Sequence, residues 1–212
     1  MTVFFMLCFT KPESIVRLLR AGMITLLTVL VSPMATAQAE GGIQITSIKL
    51  EAADDGYQFD ADFEITLNHK LEYALEKGIV LYFVTELNLM NSRWYWLDER
   101  IAHSRVREGL SYYALTRQYR LSRGALSQNF GTLKEALQAL SRVRNRPIIA
   151  SSEVKQNTEY TVELRMRLDI AALPKPFQVE TLGGSKEWDL SSGILRWNTI
   201  LPPQRHSGSN TP

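Results

Sequence analysis

From Tyr57 to Leu67 the chain alternates without a break, Tyr57, Phe59, Ala61, Phe63, Ile65 and Leu67 being apolar and Gln58, Asp60, Asp62, Glu64 and Thr66 polar. Period two over eleven residues predicts a strand with one face in a core and one in water. Ile43 to Leu50 repeats the pattern with one slip between Ile45 and Ile48, and Asp54-Asp55-Gly56 supplies hairpin turn chemistry. The two segments are therefore expected to pair, with a bulge near Thr46 or Ser47. A second amphipathic strand runs from Tyr160 to Ile170, where Tyr160, Val162, Leu164, Met166, Leu168 and Ile170 alternate with Thr161, Glu163, Arg165, Arg167 and Asp169. Leu173-Pro174-Lys175-Pro176 stops it, Phe177 to Thr181 is expected to resume pairing, and Ile194 to Thr199 makes a final short strand.

Ile79 to Met90 is apolar on both faces at its start, as a central strand would be. Trp94 to Arg107 and Leu110 to Leu121 read as a hairpin joined by Glu108-Gly109. That loop puts Ala102, Val106, Tyr113 and Leu115 on one side and His103, Arg105, Arg107 and Tyr112 on the other. Asn68 ahead of Lys70 to Lys77, closed by Gly78, predicts one or two helical turns. Thr132-Leu133-Lys134-Glu135 is a capping box, and Ala136, Leu137, Leu140 and Val143 follow at helical spacing, so a three-turn helix is expected to end near Arg144, before Pro147. Six to eight strands, short connections, two short helices and no βαβ units favour a mainly β fold, an antiparallel immunoglobulin-like β-sandwich. A partly open barrel is the second architecture.

The N-terminus changes the picture. Arg17 and Arg20 precede the apolar run Ala21 to Val31, then Ser32-Pro33 and Ala35-Thr36-Ala37. A cationic start, an apolar stretch too short to span a bilayer and small residues after it read as a secretory signal peptide over residues 1–37. Val3 to Phe9 lies outside that pattern, and initiation at Val16 would give a signal starting Val16-Arg17-Leu18-Leu19-Arg20. Residues 38–201 are then a single β-sandwich domain, exported to the periplasm, or tethered to the inner membrane if the signal is uncleaved, and 202–212 a disordered tail. Removing residues 1–37 takes away Lys11, Arg17, Arg20 and Glu13, so the net charge of +2 falls to zero and is no argument for nucleic-acid binding. The only cysteine, Cys8, goes with them, leaving burial rather than disulfides to hold the domain.

Few residues carry recognisable chemistry. His69, His103 and His206 are scattered, with no cysteine beside them to build a zinc site. Asp60, Asp62 and Glu64 form a line on one strand face, whereas calcium needs oxygens wrapped around a point. Ser152-Glu153-Val154-Lys155 has the spacing of a serine–lysine nucleophile pair without that motif's companions, and Gly183-Gly184 is more simply a turn. No cofactor, metal or catalytic residue is expected.

Charge layout is more informative. Residues 38–77 carry nine acids and three bases, whereas residues 93–146 carry eleven bases, ten of them arginine, and four acids. One account is that acidic and basic strands lie together and offset each other. The other is a docking surface built from Arg105, Arg107, Arg117, Arg120, Arg142, Arg144 and Arg146, reaching acidic protein or anionic lipid headgroups. Trp94 and Trp96 point the same way on a strand, with Tyr95 opposite; they are core, or partner anchors if exposed beside the arginines.

The segment Leu168 to Val179, with Leu173-Pro174-Lys175-Pro176-Phe177, followed by Trp188-Asp189-Leu190-Ser191-Ser192, resembles the bacterial family called domain of unknown function 4390. Trp94-Tyr95-Trp96, Tyr119-Arg120-Leu121 and the helix near Leu133 suit it too, so the resemblance spans most of residues 43–200. It departs at Gly193-Ile194-Leu195, where an aromatic residue is expected. The resemblance brings no activity, substrate or catalytic residue; it implies an exported protein, in a family whose genes often lie beside one for a membrane histidine kinase of the nitrogen-regulation type. The expectation is a non-enzymatic periplasmic protein-binding module serving an envelope or membrane signalling protein such as a sensor kinase. A binding module for a small molecule, lipid or cell-wall fragment is the alternative, and an envelope hydrolase the third.

Overall fold

A computed structural model describes residues 41–91, 99–155, 157–182 and 186–203. The signal segment, Trp94 and Trp96, and most of the tail lie outside the described residues. Among the described residues nine strands form two antiparallel sheets, ordered β1-β2-β7 and β6-β5-β4-β3-β8-β9. They share one core, the arrangement of a β-sandwich.

Strands β1 (Gly42–Ala53) and β2 (Gly56–Thr66) make the N-terminal hairpin, with Ala53 opposite Gly56 across Asp54-Asp55. The register slips between Ile45 and Ser47, at the expected bulge. Every odd residue of β2 from Tyr57 to Ile65 is buried. Helix α1 (His69–Glu76) is capped by Asn68, whose side chain accepts from the Leu71 amide at 2.9 Å, and Gly78 closes it at φ 82°. Strand β3 (Leu81–Asn91) is central, pairing with β4 (Glu99–Tyr113) and β8 (Glu159–Leu168). β9 (Leu195–Ile200) closes that side, and β5 (Gln118–Arg123) and β6 (Leu126–Phe130) the other. Alternate residues of β3 and β8, with Phe59 and Phe63 of β2 and Leu71 and Leu75 of α1, fill the core, and the fully buried Trp188 joins them.

Four expectations are corrected. Glu108-Gly109 is not a loop: β4 runs through it, and the turn is Ala114–Arg117, with Arg117 at φ 53°. Gly109 serves close packing instead, since a Cβ there would stand 3.0 Å from the Tyr82 ring. Because β4 continues, Tyr113 falls on the arginine side and Tyr112 on the Val106 side, the reverse of the expected assignment. The second helix, α2 (Leu133–Leu140), has the expected Thr132 cap but stops four residues early, and Arg142–Ala150 is strand β7. The edge of β2 needs a partner, and burial of Val143 and Ile149 against it outweighs a further helical turn. Pro147 is tolerated because β7 pairs on one side only. Finally, Phe177–Thr181 lies in a third helix, α3 (Lys175–Leu182), where prolines suit a first turn and Phe177 packs on Trp188 with ring centroids 5.1 Å apart.

Candidate functional site

The arginines read as one surface are divided among three places. The largest group stands on the outer face of the six-stranded sheet. Cross-strand register sets Arg165, Glu86 and Arg105 in one row across β8, β3 and β4, and Arg167, Val84 and Arg107 in the next. Glu86 Oε1 is shared by Arg105 Nε and Arg167 Nη2, each 3.6 Å away. Arg107 lies 4.2 Å over the Tyr82 ring and 3.4 Å from Asp169. Arg165 Nε donates to Ser191 Oγ at 3.2 Å. A third row joins Arg196 to Glu163 (2.7 Å), Asn88 to Glu163 (3.4 Å), and His103 to Asn88 (2.8 Å).

Relief matters as much as the count. The carboxylates of Glu86, Glu163 and Asp169 are only 13–21% exposed, whereas the arginines paired with them are 28–59% exposed. Glu86 and Glu163 on central strands, and Asp169 just past β8, are sunk beneath the long side chains that pair with them, so four arginines stand over three submerged carboxylates, with Arg165 half-buried beside them. Val84, on the same face, is fully buried between Arg107 and Arg167, whose stems are placed to cover it. The result is a rigid basic platform with acids already partnered.

The face continues toward the β4–β5 turn. Arg120 lies 4.3 Å over the Tyr113 ring, with Nη1 3.2 Å from the Tyr113 hydroxyl, and its Nε donates to Asn129 at 3.1 Å. Arg117 is exposed in the turn itself.

The β7 arginines belong elsewhere. Arg144 binds Asp62 and donates to the Ala61 carbonyl at 3.0 Å, and Arg142 stands opposite Asp62. The Asn145 amide donates to Asp60 at 2.7 Å. Asp62 is held below its ordinary pKa, chiefly by the Arg144 hydrogen bond, against an opposing effect of burial, with a lesser contribution from the Ser47 hydrogen bond. Here the acidic and basic strands offset each other.

Arg146 faces a third place, a buried ion cluster between the sheets. Glu108 on β4 is 2% exposed and is bound by Arg123 Nε from β5; Arg123 Nη2 also donates to the Ala139 carbonyl at 2.5 Å, beside the end of α2. Burial pushes the Glu108 carboxyl up, against the opposing pull of Arg123 and Arg146. Sequence reasoning missed both Glu108 and Arg123. The parity of Ala102, Ser104, Val106 and Leu110 marks Glu108 as inward, a signal hidden by its reading as a turn.

Ser152 sits in a single 3₁₀ turn, and the Lys155 amide is tied to the Tyr160 hydroxyl at 2.9 Å. Asp60 and Asp62 are engaged by β7, and among the described residues no cluster of three or more His, Cys, Asp or Glu gathers for a metal. No curated protein and no solved structure matches the chain. A family model does match, over residues 40–198, taking in β1 to β8 and reaching into β9. The chain therefore belongs to the family described as Domain of unknown function (DUF4390).

Proposed function

We propose that this is an exported, non-enzymatic binding module whose basic platform, centred on Arg105, Arg107, Arg165 and Arg167, docks an acidic segment of an envelope or membrane signalling protein, a sensor kinase being the expected kind. The observation that carries it is the relief of the outer face, where guanidinium groups project above carboxylates already bound. An acidic partner meets donors without first displacing an acid, and planar guanidinium groups on rigid strands lose little freedom on binding. Export is supported by Arg17 and Arg20 ahead of Ala21 to Val31 and by the small residues that follow. The test is crosslinking in intact cells, with recovery of a membrane protein by the wild-type chain and its loss on combining Arg105→Glu with Arg107→Glu. Unchanged recovery would remove the platform from the account.

A further inference from the structure

The β4–β5 turn combines features that neither the core nor the platform needs. Leu115 at its tip is 100% exposed, and Tyr113 beside it is 44% exposed with Arg120 laid across its ring. Arg117 follows in a left-handed conformation at φ 53°. From Gly109 to Lys134 the chain has no acidic residue, while Arg117, Arg120, Arg123 and Lys134 are basic. Glu72 and Glu76 of α1 act on Tyr119, which alternates to the opposite face from Arg120, Glu108 is taken up by Arg123, and Glu135 stands on α2, beyond Gly131. The tip is thus an apolar side chain flanked by a tyrosine and two arginines, on a segment that has no acid of its own. A lone exposed leucine is ordinary. A leucine with an interfacial aromatic and cations set around it matches the water–lipid boundary, where tyrosine takes the headgroup level and arginine meets anionic headgroups.

We propose that this tip seats on an anionic bilayer, Leu115 entering the headgroup region and Arg117 and Arg120 holding lipid phosphates. The tip is roughly 20 Å along β4 from Arg107, so a seated tip leaves the platform free for a protein partner. The inference rests on the export reading, which brings the domain beside a membrane, but purified protein with vesicles tests it without any partner.

In the exported form, residues 38–212, which has no cysteine, Leu115→Cys carries an environment-sensitive fluorophore, with Lys49→Cys on the exposed side of β1 as the control. Vesicles containing phosphatidylglycerol should blue-shift the dye at 115 and leave the dye at 49 unmoved. Adding Arg117→Ser and Arg120→Ser should weaken partitioning roughly tenfold or more, and raised salt should weaken it further. No shift at 115, an equal shift at 49, or an equal response to pure phosphatidylcholine would overturn the proposal. So would a shift that grows with protein concentration without lipid, which would indicate a second copy at the tip.

Discussion

Arg123→Ala should unmask the buried carboxylate of Glu108. In the native protein Arg123 binds Glu108 and the Ala139 carbonyl, while Glu108 is almost wholly inaccessible. Removing one partner of a buried pair costs about 3–5 kcal/mol when nothing else compensates. Two features lower that here: Arg123 is 35% exposed, so water can enter where it stood, and Arg146 still acts on Glu108. The cost also has a ceiling, because Glu108 can take up a proton. From an ordinary carboxyl value of about 4.3, protonation at pH 7 costs roughly 1.36 × 2.7, or about 3.7 kcal/mol, and at pH 5 only about 1 kcal/mol. A loss near 3 kcal/mol is expected at pH 7 and at most about half that at pH 5. For a domain this size it lowers Tm by about 6–12 °C at pH 7. The sign follows from linkage. Glu108 titrates above its unfolded value, so the folded state holds the proton more tightly, and its contribution is fully present below the unfolded pKa and lost as pH rises through the folded one. Arg123→Ala steepens that loss, and Glu108→Gln in the same chain should recover most of it at pH 7 by removing the charge. Thermal and urea unfolding by circular dichroism at both pH values measure this. Equal losses at pH 5 and 7, or a double variant no more stable than Arg123→Ala, would refute the reasoning.

Gly56→Ala places a Cβ 2.2 Å from the Ile149 carbonyl oxygen and must open the β2–β7 pairing; about 2–3 kcal/mol of urea stability should go, whereas Gly42→Ala, with nothing within 4 Å, should be near neutral. Trp188→Ala empties a fully buried site against Phe177 and should cost about 3–5 kcal/mol in the same assay. Asp62 should titrate below the ordinary aspartate range by NMR, moving up in Arg144→Ala. Since its folded value is depressed, its stabilisation is present above the unfolded pKa and disappears as pH falls through the folded one; being surface-exposed, it is worth under about 1 kcal/mol.

Strands with one wet face were legible because alternation records burial directly: β1, β2 and β8, the bulge before Ser47, and both helix caps follow from residue type and spacing. The errors share a cause, local turn or helix chemistry outweighed by distant partners. Glu108-Gly109 looks like a turn until Tyr82 packs over the glycine and Arg123 reaches the glutamate. Val143 fits a helical stripe until β2 offers an edge. β6, with every residue exposed except Phe130, carries no apolar alternation to announce it. The arginines were visible as a cluster in sequence, but their division among platform, β2–β7 pairing and buried cluster depends on strand order. Arg165, Arg167 and Arg196, remote in sequence, join the platform only because β8 pairs with β3 and β9 with β8.

The most direct measurement compares two charge reversals by in-cell crosslinking: Arg105→Glu with Arg107→Glu on the platform, and Arg142→Glu with Arg144→Glu on β7. Both variants must first accumulate in the envelope at wild-type level. A membrane-protein partner should be recovered by the wild type and by the β7 variant, and lost from the platform variant. Recovery by all three, or loss only from the β7 variant, would contradict a docking role for the outer face.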